Sequence, residues 1–393
     1  VANRAAIAIV GGGVIGCAVA WELGKDHDDV FLFEKNPAVT RGENQSSRNS
    51  GVIHSGLYYD QETRPEKATL CVTGNRLLYE FCHRYRVPAL QTGKLMVATG
   101  AEEASILDLY LDRAAHNGVP GVELISRRRI KALEPNVEGE VALLIPSAGI
   151  VDPPSLVYRL HALASGQGVH FVTGTEVLGL ESHNRSIRLA IRYPDGEPDH
   201  LTARVVVNAG GLSAPRLAQW LDPRSPCEPD PIMGESYKFY SHKRPDLAVR
   251  GMNIYPTPET VVTPHGSHFT VGVHLTPTFG SLSMPPVLGT TVTVGPKLRP
   301  VMENGNSVSE TPASEFAQKV RPFFPGLRAE DLIWHQSGQQ ARLKRHPDFV
   351  IRSDSRYPRL INLLGIDSPG LTSCLAVARR VGDMVNALGI GDQ

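Results

Sequence analysis

Several things that would assign a special environment are scarce in this sequence. Its five cysteines (Cys17, Cys71, Cys82, Cys227 and Cys374) are odd in number and include no CxxC pair. That argues against a disulfide framework and fits a reducing compartment. Forty basic residues balance forty acidic ones, so no global field recruits nucleic acid or an anionic membrane. The densest basic run, Arg127-Arg128-Arg129, reads as a solvated helix face. No apolar run approaches the roughly 18–20 residues that span a bilayer, which excludes an integral span and leaves peripheral contact at an inner membrane face open. The first strand begins almost at once, so no secretory leader is expected and a cytoplasmic location follows. Internal repeats and low-complexity tracts are also missing. A composition of 41% hydrophobic and 20% charged residues over 393 positions excludes a largely disordered chain and suggests two domains.

What is present is organised around Ala5–Glu34. An apolar run, Ala5 to Val10, reads as a strand buried on both faces, and Gly11-x-Gly13-x-x-Gly16 follows it. Val14, Ile15, Ala18, Val19 and Leu23 then recur at helical spacing, and a second apolar run, Val30 to Phe33, ends in Glu34 and Lys35. Each part has a task in holding a dinucleotide. Gly11 permits the tight turn, Gly13 lets the backbone approach the pyrophosphate, and Gly16 lets the helix pack closely on the strand. The phosphates would sit over the helix that Val14 and Ile15 open, where unpaired N–H groups and the helix dipole favour negative charge. Glu34 would accept from a ribose hydroxyl, and Lys35 beside it is a further candidate cofactor contact. A GxGxxG alone is often only a Gly-rich turn; here strand, glycines, helix, strand and acid occur in the right order.

Further along, Ser46–Tyr59 (SSRNSGVIHSGLYY) is rich in small residues suited to close backbone approach, with Ser46, Ser47, Asn49 and Ser50 as candidate cofactor contacts. Lys67–Tyr85 reads as a helix with a broad apolar face, Lys94–Thr99 as a strand, Glu102–Asn117 as a helix, and Pro153 opens another. Strands are expected at Val169–Val172, Glu176–Glu181 and Ile187–Tyr193. A buried strand, Ala203–Asn208, then runs into Ala209-Gly210-Gly211 and a helix, which repeats the strand-then-glycine logic of the N-terminus. From Pro226 to Pro325, short β-type runs alternate with Pro/Gly-rich loops, as in an antiparallel sheet. Leu360–Leu364 reads as a strand and Leu371–Leu388 as a long helix. His265 and His268 form an HxxH with no third ligand in sight, so it reads as a loop and no metal is expected.

These motifs carry a resemblance over nearly the whole length. Asn49–Tyr59 (NSGVIHSGLYY), Lys67–Cys71 (KATLC), Ala148–Pro153 (AGIVDP), Val206–Gly211 (VVNAGG), Gly272–Thr276 (GVHLT) with Val294–Pro296 (VGP), and Ser368–Thr372 (SPGLT) are all similar to elements of one group. The chain resembles the D-amino-acid-oxidase-like (DAO) superfamily of FAD enzymes, and within it the L-2-hydroxyglutarate dehydrogenase/oxidase group. That resemblance implies an α/β (α+β overall) fold. A Rossmann-like FAD-binding domain of the glutathione-reductase/DAO type would be assembled from residues 1–88, 146–225 and 336–393. The substrate domain, 89–145 and 226–335, would be inserted on a mixed or antiparallel β-sheet. The sequence departs from the group at Ser337–Arg342, where Gln340 stands at the position of an expected arginine and Arg342 is the nearest cation. It departs again at Pro277–Pro296, longer and richer in Pro and Gly than a simple hairpin.

The implied reaction takes a hydride from the α-carbon of an L-2-hydroxy acid to flavin N5, leaving a 2-oxo acid. A neutral imidazole is the natural base for the hydroxyl proton, because its pKa lies near working pH. His274 and His54 both stand in matching motifs, and either serves. Non-covalent FAD is favoured, with a covalent link at His54 as the other option. Arg342 is the candidate carboxylate clamp, with Gln340, Tyr58, Tyr59 and Lys67 as further donors. The backbone of Pro369, Gly370, Leu371 and Thr372 would face the pyrimidine end of the flavin, and Val177 the adenine. Electrons would leave to oxygen, a quinone or an electron-transfer protein. The rival readings are an amino-acid or sarcosine-type amine oxidase of the same fold, an NAD dehydrogenase, and a non-catalytic flavoprotein.

Overall fold

The N-terminal apolar run forms β1 (Arg4–Val10), the glycines turn the chain, and α1 (Val14–Leu23) leads back to β2 (Val30–Glu34). The structure, a computed structural model, describes residues 4–263, 266–301 and 310–389, and of 260–263 and 266–269 the backbone only. β1 lies between β2 and Pro198–Asn208, parallel to both; His170–Thr173 extends the sheet beyond β2 and Leu360–Leu364 extends it beyond Pro198–Asn208, again in parallel. An antiparallel ribbon, Glu176–His183 with Ser186–Arg192, completes one eight-stranded sheet together with Val350–Ser353. Helices cover both faces, which is why the parallel strands read as unbroken apolar runs. Ile7, Ile9 and Leu32 pack toward α1 and the last helix; Ala8, Val10 and Phe33 pack the opposite way, toward Leu217 and Leu221.

Two long helices then lock together. α2 (Pro65–Tyr85) crosses α3 (Gly370–Ala387) at Gly74, where a Cβ would stand 2.4 Å from the Thr372 carbonyl oxygen. Only glycine lets the backbones approach this closely, and the contact fixes the first turn of α3 near His54. Cys71 and Cys82 are buried packing residues on α2.

A second eight-stranded sheet takes its strands from two stretches of chain. Its order is Leu332–Gln340, Ile232–Tyr240, Val287–Pro300, Leu275–Ser281, Asn253–Pro256, Lys94–Ala98, Val141–Ile145 and Glu123–Ser126. The three strands used below are β3 (Lys94–Ala98), β4 (Asn253–Pro256) and β5 (Leu275–Ser281). β3 and β4 run parallel while their other neighbours are antiparallel, so the sheet is mixed. One expectation needs correction. Leu332–Gln340 pairs with Ile232–Tyr240 along its whole length, so the domain boundary expected at residue 336 falls inside a strand. Pro277–Pro296, read as longer than a simple hairpin, lies in a long one, in which register shifts between Pro277 and Phe279 absorb a proline that cannot donate to the ladder. His265 lies outside the described residues, and of His268 only the backbone is described, on the strand Gly266–Thr270. No helix among the described residues is long and apolar enough to cross a membrane.

Candidate active site

The glycine turn is shaped by contacts that leave no room for side chains. A Cβ at Gly16 would lie 1.8 Å from the Gly11 carbonyl oxygen, and one at Gly11, where φ is +109°, would lie 2.4 Å from the Ala209 carbonyl oxygen. The Ala209–Gly211 turn, predicted to mirror the N-terminal one, is thus pressed against it, and the Ala209 N–H donates to the Val10 carbonyl at 2.9 Å. Glu34 is buried and accepts from the Gly12 N–H at 2.7 Å and from the Asn36 backbone at 2.8 Å. Oε1 is filled by both donors of Asn36, the second being its side-chain amide at 2.7 Å, while Oε2, which takes only the Gly12 N–H, keeps a second lone-pair direction for a ribose hydroxyl. Ser46 Oγ accepts from the Val14 N–H at 2.9 Å, over the start of α1. Val177 follows Thr175, whose N–H donates to the Glu34 carbonyl, so it reaches the end of β2. Two expected contacts are employed differently. Lys35 points outward to an ion pair with Glu43, and the Ser47 hydroxyl donates to the Thr40 carbonyl at 3.1 Å.

A cavity of about 1230 Å³ opens between the two sheets. Asn49, Ser50, His54, Tyr58, Tyr59 and Pro369–Leu371 line it together with Lys67, Gln340, Arg342 and His274. The cavity and the glycine turn together fit a flavin dinucleotide: a backbone cradle for phosphates, an acid for the ribose, and the positive end of α3 toward the ring. Thr372 ties this end down by accepting from the His54 N–H at 3.0 Å.

The two histidines differ in their surroundings. His274 is buried just before β5, and its ring stacks on Tyr255 with centroids 3.7 Å apart. Nδ1 lies 3.0 Å from the Gly272 carbonyl oxygen, which can only accept. The hydrogen-bond partner therefore assigns the proton to Nδ1 and leaves the Nε2 lone pair buried with no partner. Burial, reinforced by nearby Lys94 and opposed by the Gly272 bond, lowers the imidazole pKa from 6.5 to about 3. His54 is also held neutral, by burial first and then by Lys94 and His274. Its Nε2 lies 3.3 Å from Ser368 Oγ, and its carbonyl accepts from Asn75. Burial raises Tyr58 and Tyr59 well above the ordinary tyrosine range, so both hydroxyls stay protonated.

The expected carboxylate clamp is only partly free. Asp367, just ahead of α3, takes Lys67 Nζ at 2.7 Å and Arg342 Nε at 3.2 Å, while Gln340 Oε1 also accepts from Arg342 Nε. Lys67 is thereby neutralised, whereas the two terminal guanidinium nitrogens of Arg342 remain for a ligand. Removing Asp367 would strand two largely buried cations. Asp367→Asn is therefore expected to destabilise the FAD-loaded protein by about 3 kcal/mol, read from urea denaturation.

A protein-family model described as FAD dependent oxidoreductase (DAO) matches residues 6–384. The chain belongs to this family. Among curated relatives of this FAD-dependent oxidoreductase, the mitochondrial L-2-hydroxyglutarate dehydrogenase of Arabidopsis thaliana is 30% identical over 96% of this chain and 83% of that one. The human enzyme of the same description is 36% identical over 67% of this chain and 58% of its own. Among solved structures, FAD-bound L-alpha-glycerophosphate oxidase from Mycoplasma pneumoniae superposes with a TM-score of 0.82 at 23% identity, covering 98% and 95% of the two chains. Glycine oxidase from Geobacillus kaustophilus gives 0.75 at 21%, with the same coverage. Those structural likenesses speak to the fold.

Three residues of the site escape sequence reading: Lys94, Tyr255 and Asp367. Lys94 opens an otherwise apolar strand and looks like a solvated strand end, yet it pairs with Asn253 inside the sheet and is buried. Asp367 stands directly before SPGLT, and its place beside that motif was the available signal.

Proposed function

We propose that this FAD-dependent oxidoreductase oxidises a small L-2-hydroxy acid to the 2-oxo acid, with L-2-hydroxyglutarate as substrate. The observation that carries the reading is the His274 Nε2 lone pair, neutral, oriented by Gly272 and buried at a cavity of ligand size. His274 accepts the substrate hydroxyl proton there, at an atom with no competing partner. We assign His54 to the wall beside α3: its Nε2 has Ser368, and although its Nδ1 is buried without a partner too, only His274 has its tautomer set by a backbone carbonyl. When bound, FAD supplies the two-electron acceptor at N5. The protein's share is to hold, orient and desolvate the hydroxy acid and to move one proton.

Charge supports a dicarboxylate. Six cationic side chains line the cavity (Arg48, Arg64, Lys67, Arg342, Lys344 and Arg345) against three acids (Glu228, Asp230 and Asp367). The fork of Arg342 is the group we assign to a substrate carboxylate. Arg342→Met is expected to raise KM for L-2-hydroxyglutarate by about 10- to 100-fold, the loss of a charge-assisted pair, and to change kcat far less. Steady-state assays with an artificial electron acceptor check this. The assignment itself is tested by product analysis. L-2-hydroxyglutarate should yield 2-oxoglutarate, whereas glycine should yield no ammonia; the reverse result would establish the amine-oxidase reading instead.

A further inference from the structure

Behind His274 lies a residue that the proposed chemistry leaves without a task. Lys94 is 0% exposed, and its Nζ makes no hydrogen bond. The ammonium sits 3.8 Å from the centroid of the Tyr255 ring and 5.0 Å from that of Tyr58. The imidazole of His274 covers Tyr255 at 3.7 Å with an interplanar angle of 14°, so the opposite face of the ring is left for the ammonium. Neighbouring strands carry this stack: Lys94 on β3, Tyr255 on β4, and His274 at the head of β5.

Among the described residues, the ionisable groups around it offer no anion. Cys71 faces it from α2, His54 and Tyr58 from the loop ahead of α2, and Tyr255 and His274 from the sheet; Tyr110 stands behind Tyr58. Burial keeps the thiol and the three phenols protonated, and both imidazoles neutral. A buried amine lacking a counter-ion is costly unless something anionic arrives when the site is filled.

We propose that Lys94 is a positioning residue: it supplies the counter-charge for an anionic substrate and so keeps His274 neutral, acting through the Tyr255 ring. This rests on the reading of His274 as base. An anion entering a low-dielectric cavity raises the proton affinity of every basic group near it. Were the imidazole the group that responded, its acid limb would move up toward working pH when substrate binds. The amine competes for that proton and wins. Burial brings Lys94 from 10.5 to about 7 and His274 from 6.5 to about 3, so the order of the two is preserved. Contact with the Tyr255 and Tyr58 faces stabilises the ammonium without a hydrogen bond.

The test compares FAD-loaded wild type, Lys94→Met, Lys94→Arg and His274→Asn. In Lys94→Met, the acid limb of the anaerobic flavin-bleaching rate at saturating L-2-hydroxyglutarate should move up by about one pH unit or more. In Lys94→Arg it should return toward wild type. Independently of turnover, ring-¹⁵N NMR of wild type with bound 2-oxoglutarate should show His274 neutral at pH 6–8, and Lys94→Met should show it titrating at higher pH. An unmoved limb together with unmoved shifts in Lys94→Met would overturn the proposal, as would an imidazolium at His274 in ligand-bound wild type. If Lys94→Met does not fold, the wild-type spectrum alone decides. Failure of the base reading looks different, because His274→Asn would then keep the wild-type rate.

Discussion

His274→Asn is expected to slow reduction of the bound flavin by L-2-hydroxyglutarate about 10²- to 10⁴-fold, the usual range for removing a general base. The same variant should keep its full complement of FAD, because His274 lies on the sheet that faces the substrate and touches none of the glycine turn. Asparagine can still occupy the space above Tyr255 and donate to Gly272, but it has no lone pair basic enough to take a hydroxyl proton. Wild-type pH behaviour follows from the direction of the imidazole shift. A base works while neutral, so its contribution is present above its pKa and lost as pH falls through it. With His274 lowered to about 3 in the free protein, kcat/KM should show no limb near 6.5 from this group. A limb at 6.5 that disappears in His274→Asn would mean that the imidazole is solvated rather than enclosed.

Gly16→Val is expected to give a folded protein that purifies without FAD. At position 16 even a Cβ would lie 1.8 Å from the Gly11 carbonyl oxygen, so α1 must move off β1. That movement opens the turn on which the phosphates would rest and separates it from Ala209–Gly211. Overpacking of this kind costs about 1–3 kcal/mol, small enough for a large two-sheet fold to survive. Far-UV circular dichroism with the flavin-to-protein absorbance ratio separates the two effects. A Gly16→Val protein that binds FAD normally would remove the cofactor from this turn.

How much of this was legible in advance depended on distance along the chain. β1, the glycines, α1 and Glu34 are one continuous unit, and each glycine's task concerns atoms a few residues away. The second turn, Ala209–Gly211, was readable for the same reason, as was the start of α3 at Pro369. Arg342 was read as the candidate clamp because the nearest acid along the chain, Asp348, gives no sign of pairing with it, and Asp348 in fact accepts from the Glu66 and Lys67 backbone. The partner of Arg342, Asp367, is 25 positions on and is shared with Lys67, 300 positions back. Lys94 was invisible as a buried group for the same kind of reason. A lysine at the head of a strand is normally solvated, and β4 laid beside β3, with β5 beyond it, places this one under Tyr255 and His274. The boundary near residue 336 was misplaced because the ladder with Ile232–Tyr240, not the local composition, decides where Leu332–Gln340 belongs.

The central claim is that this flavoprotein takes its electrons from an L-2-hydroxy acid. Its most direct test is an anaerobic titration of the FAD-loaded protein with L-2-hydroxyglutarate, following the oxidised-flavin absorbance. Rapid bleaching, complete at one equivalent and absent with the D-enantiomer, is the predicted result. A flavin that stays oxidised through the titration, or that bleaches equally with both enantiomers, would contradict the assignment.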